Sequence, residues 1–217
     1  MAALAIGLTL AIGVDAPVSA HRLDEYLQAA RIAIEPGRVA IELDLTPGTA
    51  VAANVLADID RNRNRFLADD EALAYATAVV RELRLEIDGR DQPLTLAAQR
   101  FPAIDAMLNG EGTIRLQLVA EIAPLAAGNH RLRFRNGHRP DVSVYLANAL
   151  VPATDRVGVL AQDRDLNQSE LVIAYRLRDT VPDTARWLTA RVGGVVIILI
   201  VPAVMWLSRR ASRRSAD

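Results

Sequence analysis

The chain has 217 residues, with 26 acids, 25 basic side chains and no cysteine. Without cysteine there are no disulfide staples, thiolate metal sites or cysteine nucleophiles, and because every basic side chain other than histidine is arginine, lysine Schiff-base chemistry is excluded as well. Residues 21–190 hold every acid except Asp15 and Asp217, and every arginine except Arg191, Arg209, Arg210, Arg213 and Arg214. That leaves an excess of about four negative charges and no basic face for nucleic acid.

Residues 1–20 read as a secretory signal peptide. An apolar run from Ala2 to Val14 has the length of an h-region, and Val18-Ser19-Ala20 puts small residues at the −3 and −1 positions of a cleavage site. Residues 21–178 then form one extracytoplasmic domain, long enough for a core of its own. Ile32 and Ile34 lead into Pro36-Gly37, after which Val39, Ile41, Leu43 and Leu45 alternate with Glu42 and Asp44, so residues 26–46 predict a hairpin closed by a type II turn.

A helix–loop–helix is predicted over 49–82. Val51, Val55, Leu56 and Ile59 share one helical face, and Leu73, Ala76, Val80 and Leu83 share another. Between them, the twelve residues Asp60 to Glu71 have the spacing of an EF-hand calcium loop. Asp60, Asn62, Asn64 and Glu71 put side-chain oxygens at positions 1, 3, 5 and 12, Phe66 offers its carbonyl at position 7, and Leu67 is the apolar anchor at position 8. Asp69 and Asp70 fall in the first turn of the second helix, where negative charge suits the dipole. Arg65 stands at position 6, where a sharp bend favours glycine, and its side chain costs about 1–2 kcal/mol there. Ala68 at position 9 leaves that ligand to water, and Arg61, Arg63 and Arg65 interleave with the ligands. The predicted cofactor is therefore calcium held weakly, at roughly 0.1–1 mM. A second loop starting at Asp163, with Asp165 and Asn167, is rejected because Glu170 and Ala174 stand where the apolar anchor and closing carboxylate belong.

The remaining strands follow by alternation. Leu83, Leu85 and Ile87 precede an Asp88-Gly89 turn towards Leu94 and Leu96. Ile114, Leu116 and Leu118 come next, then Leu132 and Phe134, then Val142, Val144 and Leu146, then Val157 and Val159. Leu171, Ile173, Tyr175 and Leu177 make the cleanest strand of the C-terminal half. About nine short strands predict a mainly β fold, a β-sandwich with the helix–loop–helix as an insertion. Residues 179–186 read as a stalk and 187–208 as one C-terminal transmembrane helix. Its core from Val192 to Leu207 carries no charge, and Trp187 and Trp206 flank it as interfacial anchors. The arginines of the 209–217 tail orient that tail to the cytoplasm. The expected location is the cell inner membrane, with the main domain periplasmic.

The segment Ala20-His21-Arg22-Leu23-Asp24-Glu25-Tyr26-Leu27-Gln28, with the hairpin through Pro36-Gly37 to Asp44-Leu45-Thr46-Pro47-Gly48, resembles the mature extracytoplasmic regions attached to bacterial HupE/UreJ-type and nickel/cobalt-type membrane proteins. Tyr145 to Pro152 and Gln162 to Asp165 are similar to later parts of those regions. The resemblance implies a calcium-type loop at the place of Asp60–Glu71, and a membrane-protein or transporter partner. This chain has one predicted span where that family has a multi-helix transport part.

Cleavage after Ala20 would expose His21 as the new terminus. Its α-amine and imidazole suit copper(II) or nickel(II), with His130 or His138 as a further nitrogen, which makes a transition-metal accessory role the alternative to calcium. An ion-free partner-binding module is a third. Asp141 and Ser143 lie close to His138 in sequence but do not define a triad, and no enzyme activity is expected.

Overall fold

The computed structural model describes residues 24–179. The predicted leader, His21, the transmembrane span and the arginine tail lie outside the described residues, as does the stalk beyond Asp179. Among the described residues, no helix is long and apolar enough to cross a membrane.

Among the described residues the fold is mainly β, with two five-stranded sheets and three helices. In chain order its elements are β1 Tyr26–Glu35, β2 Arg38–Pro47, α1 Thr49–Ile59, α2 Asp69–Arg81, β3 Leu83–Ile87, β4 Arg90–Asp91, β5 Thr95–Arg100, α3 Ile104–Leu108, β6 Ile114–Glu121, β7 Gly128–Asn136, β8 Ser143–Ala149, β9 Val157–Arg164 and β10 Glu170–Leu177. One sheet runs β5-β6-β2-β1-β8, the other β4-β3-β7-β10-β9. All pairings are antiparallel except β1 with β8.

Alternation explains the core. Ile32, Ile34, Val39, Ile41, Leu43 and Leu45 turn inwards from β1 and β2, while Arg31 lies across Glu42 and Asp44 on the outer face. From the other sheet, Leu85, Leu132, Phe134, Leu171 and Ile173 join them in one buried cluster, as expected for two facing sheets. Gly37 closes the β1–β2 turn at φ 84°, the positive value that a Pro-Gly type II turn requires.

Several sequence expectations shift. After Asp88-Gly89 the chain makes only the two-residue β4. The Leu94–Leu96 region then crosses to the first sheet, where β5 pairs with β6. On β8 the phase is inverted: Tyr145 and Ala147 point inwards and Leu146 outwards, because parallel pairing with β1 sets Tyr145 beside the buried Gln28. The five-residue α3 is too short to show in the sequence periodicity. The Asp163 region is a hairpin: Asp165 accepts from Glu170 N–H and Ser169 Oγ–H and closes the β9–β10 turn.

The helix pair lies between β2 and β3, at the end of the strands where Tyr26, Leu83 and Asn136 are found and opposite the end where Leu177 finishes. On α1 the predicted face holds, with Val51, Val55 and Ile59 buried and Leu56 partly so. On α2 it is rotated. Ala72, Tyr75, Ala76 and Val79 are buried, Leu73 is exposed, and Leu83 belongs to β3. The i, i+3, i+4, i+7 spacing of the buried set is as helical as the predicted one, and the Tyr75 hydroxyl, which needs a buried partner, selects it.

Candidate cation site

The loop between α1 and α2 is folded around the oxygens picked out by its spacing. Asp60, 4% exposed, is the C-cap of α1 and receives two loop amides: Asn64 N–H at 3.1 Å on Oδ1 and Arg65 N–H at 2.9 Å on Oδ2. Asn62 Oδ1 takes Asn64 N–H at 2.9 Å, and Asn64 Oδ1 takes Phe66 N–H at 2.8 Å. These are Asx-type turns, in which a short polar side chain replaces a backbone acceptor. Glu71 reaches back from the first turn of α2, with Oε1 facing Asn62 N–H at 3.3 Å and Oε2 facing Ala68 N–H at 3.4 Å. Ala68 is the N-cap of α2, and its methyl has no acceptor, so only the Glu71 half of a capping box is made.

The bend at Arg65 forms in spite of its side chain. Arg65 has φ 62° and Arg63, two positions earlier, φ 58°, both in the left-handed region. The Arg65 guanidinium does not fold back over the loop but lies 3.2 Å from Asp105 on α3. Phe66 projects its ring into solvent, and Leu67 packs against the core as the apolar anchor.

Asp60, Asn62, Asn64 and Glu71 are thus joined through one hydrogen-bonded loop, and Phe66 belongs to it through its backbone. Each oxygen that accepts an N–H keeps a second lone pair. The set contains two carboxylates and two amides. Among the described residues, no group of three or more His, Cys, Asp or Glu side chains is placed to hold a metal ion. Any cation here must therefore accept neutral oxygens, as hard cations do and transition metals do less well.

The two described histidines are not spare nitrogens. His130 has Nδ1 2.8 Å from Asp88 and Nε2 2.8 Å from the Ala126 carbonyl. Both neighbours are acceptors, so the ring is best satisfied with a proton on each nitrogen, and the bond to Asp88 raises its pKa. His138 is not a surface residue but is 5% exposed. Its Nδ1 lies 2.6 Å from Glu82 and its Nε2 3.1 Å from Tyr75 Oη, and burial outweighs Glu82 to lower its pKa. Ser143 Oγ bonds the His138 carbonyl and not its ring, so the Asp141–Ser143–His138 neighbourhood is not a triad.

Nothing in the sequence pattern marks this buried polar group around His138. Its members come from β1, α2, β7, β8 and the 137–142 loop, and the one signal on α2 is Tyr75 among small and aliphatic residues. No family model matches the chain, and no curated protein shows significant similarity to it.

Proposed function

We propose that the chain is a membrane-anchored extracytoplasmic module, a β-sandwich whose inserted helix pair binds calcium weakly at Asp60–Glu71, with a structural or regulatory role. Asp60, Asn62, Asn64 and Glu71 supply side-chain oxygens and Phe66 its carbonyl. With Glu71 using both oxygens they make the six-oxygen shell that calcium accepts, and water completes it beside Ala68. The observation that carries this reading is the bend. The loop adopts its two left-handed residues even with arginines there, and the guanidinium that would oppose a cation is drawn to Asp105.

Bound calcium would screen Asp60 and Glu71 and tie the end of α1 to the start of α2. With only two formal charges, the expected dissociation constant stays in the range of roughly 0.1–1 mM. The likeness of the N-terminal segment and first hairpin to regions attached to membrane transport proteins supports an accessory role beside a membrane-protein partner.

Isothermal calorimetry of the full-length chain with calcium tests the site. The wild type is expected to release or absorb heat on saturation at millimolar calcium, whereas Glu71→Gln, which keeps the shape but removes the closing charge, weakens binding at least about tenfold. No heat from either protein removes the reading.

A further inference from the structure

The helix pair is fastened to the sheets through a second polar centre, distinct from the cation loop. His138 is its middle. The backbone of this residue is fixed: its N–H donates to Asn136 Oδ1, and its carbonyl accepts from Gln28 Nε2, Ser143 Oγ and Tyr145 Oη. These bonds hold the backbone of the residue to β1, β7 and β8. Its two nitrogens reach Glu82, just beyond α2, and Tyr75 within α2. Tyr75 Oη in turn lies 2.8 Å from Tyr26 Oη on β1. Next to His138, Arg139 at φ 48° pairs with Asp58 of α1. A cleft of about 390 Å³, lined in part by Asp58, Arg61, Glu82 and Arg139, opens beside the ring and gives water a path to it.

Proton counting makes this centre directional. With neutral His138, Nδ1–H donates to Glu82, Nε2 accepts from Tyr75, and Tyr75 accepts from Tyr26. Every hydrogen is placed. A second ring proton turns Nε2 into a donor. Tyr75 must then accept from it, and since among the described residues Tyr26 Oη meets only Tyr75 Oη, one of the two tyrosine hydrogens is left without an acceptor whichever of them donates to the other. Tyr26 is 0% exposed and Tyr75, at the edge of the cleft, 4%, so a hydrogen left over between them costs most of a buried hydrogen bond while the helix stays docked. The alternative is to break the Tyr75–His138 bond and separate α2 from the sheet end.

We propose that His138 is an acid-sensitive latch: its protonation releases the α1–α2 pair from the sheets while the two-sheet core stays folded. The groups facing the ring decide the sign. Glu82 from the end of α2 and Asp58 from α1 favour the charged ring, Arg139 opposes it, and the tyrosines of β1 and α2 favour the neutral form by their burial and proton arrangement. Burial is the largest of these influences, so the docked ring resists protonation relative to a solvated one. Docking is therefore at full strength above about pH 6.5, the value of a free histidine, and is lost progressively as pH falls below it, by up to about tenfold for each unit by which docking displaces the titration. The inference does not depend on whether the loop binds calcium.

Hydrogen exchange on the full-length chain tests it, corrected for intrinsic rates and compared between pH 7.5 and 5.0, with the His138 ring followed by NMR and identified by comparison with His21→Gln and His130→Gln. The expected result is a loss of protection confined to residues 49–81, of about tenfold or more, that tracks the His138 titration. His138→Gln abolishes the pH dependence. Glu82→Gln, which still accepts from Nδ1 but removes the charge, moves the His138 titration to lower pH and deepens the acid loosening. Equal loosening in wild type and His138→Gln overturns the latch. So does titration of His138 with residues 49–81 unchanged. Should His138→Gln fail to fold, a Glu82→Gln protein with the wild-type titration and loosening is equally decisive against it.

Discussion

Arg65 shows how a single residue can oppose its site in two ways that are separable by experiment. Its φ of 62° is a backbone cost and its guanidinium is a charge near the oxygens proposed to hold a cation. The backbone cost belongs to the bend whatever the loop binds, so its relief is expected in stability. Arg65→Gly should gain about 1 kcal/mol after the entropy of the added glycine is deducted, or roughly 2–4 °C in Tm by calorimetry. The charge should be felt in affinity instead. The Arg65–Asp105 pair is exposed, with side-chain accessibilities of 72% and 83%, so solvent already screens it. Removing the charge is then expected to tighten calcium binding only about two- to fivefold by titration calorimetry. A large gain in affinity with no gain in Tm would mean that the bend is remade on binding. The four oxygen positions and the residue that strains them could be read from the sequence because all lie within twelve consecutive residues. The partner of Arg65 could not, because Asp105 lies forty residues away on a helix too short to announce itself by periodicity.

Among the elements, α2 has the clearest local defect. Its N-cap, Ala68, already holds the extended conformation of a cap, φ −77° and ψ 152°, but offers no oxygen to the first-turn amides. Ala68→Ser should add that acceptor opposite Glu71 and complete the capping box, stabilising the domain by about 0.5–1 kcal/mol in chemical denaturation. An unchanged denaturation midpoint would show that the start of α2 is held by the loop and not by its cap. Elements whose alternation is driven by their own side chains were legible from sequence: the β1–β2 hairpin with its Pro36-Gly37 turn, and β10 with Leu171, Ile173, Tyr175 and Leu177 inside. Elements whose phase is set by a distant neighbour were not. On β8, valines and a leucine suggested one inward face, but pairing with β1 gives that face to Tyr145 and Ala147. On α2, Leu73 is more apolar than Tyr75, yet Tyr75 is buried because Tyr26 and His138 satisfy its hydroxyl. The β9 strand adds a device that pattern reading misses. Its register slips beside Ala174 and Tyr175, leaving Leu160 as an extra, exposed residue on a sheet edge, and such a bulge discourages further strand pairing there.

Over the described domain as a whole, the two histidines stand at opposite ends of the strands and pull the pH dependence of stability in opposite directions. His138, at the helix end, has its pKa lowered by burial, so its contribution is complete above about pH 6.5 and is lost as pH falls through the lowered value. His130, at the end bearing the Asp88-Gly89 turn, has its pKa raised chiefly by the hydrogen bond to Asp88. Its contribution is complete below about pH 6.5 and is lost as pH rises through the raised value. The same Asp88 carboxylate also receives Arg131 N–H at 2.9 Å, so deprotonation of His130 weakens the clamp that holds the turn to β7. Tyr75 and Tyr175 are pushed up to about 12 by burial and do not titrate near neutrality. Thermal stability should therefore peak near pH 6.5 and decline on both sides. His130→Gln should flatten the decline between pH 6.5 and 9 while leaving the acid side in place, which a series of Tm measurements from pH 5 to 9 would check. Persistence of the alkaline decline in His130→Gln would assign it to a group other than the Asp88 clamp. A variant that lost the acid decline instead would mean that the two ends of the fold are coupled through the strands and do not respond separately.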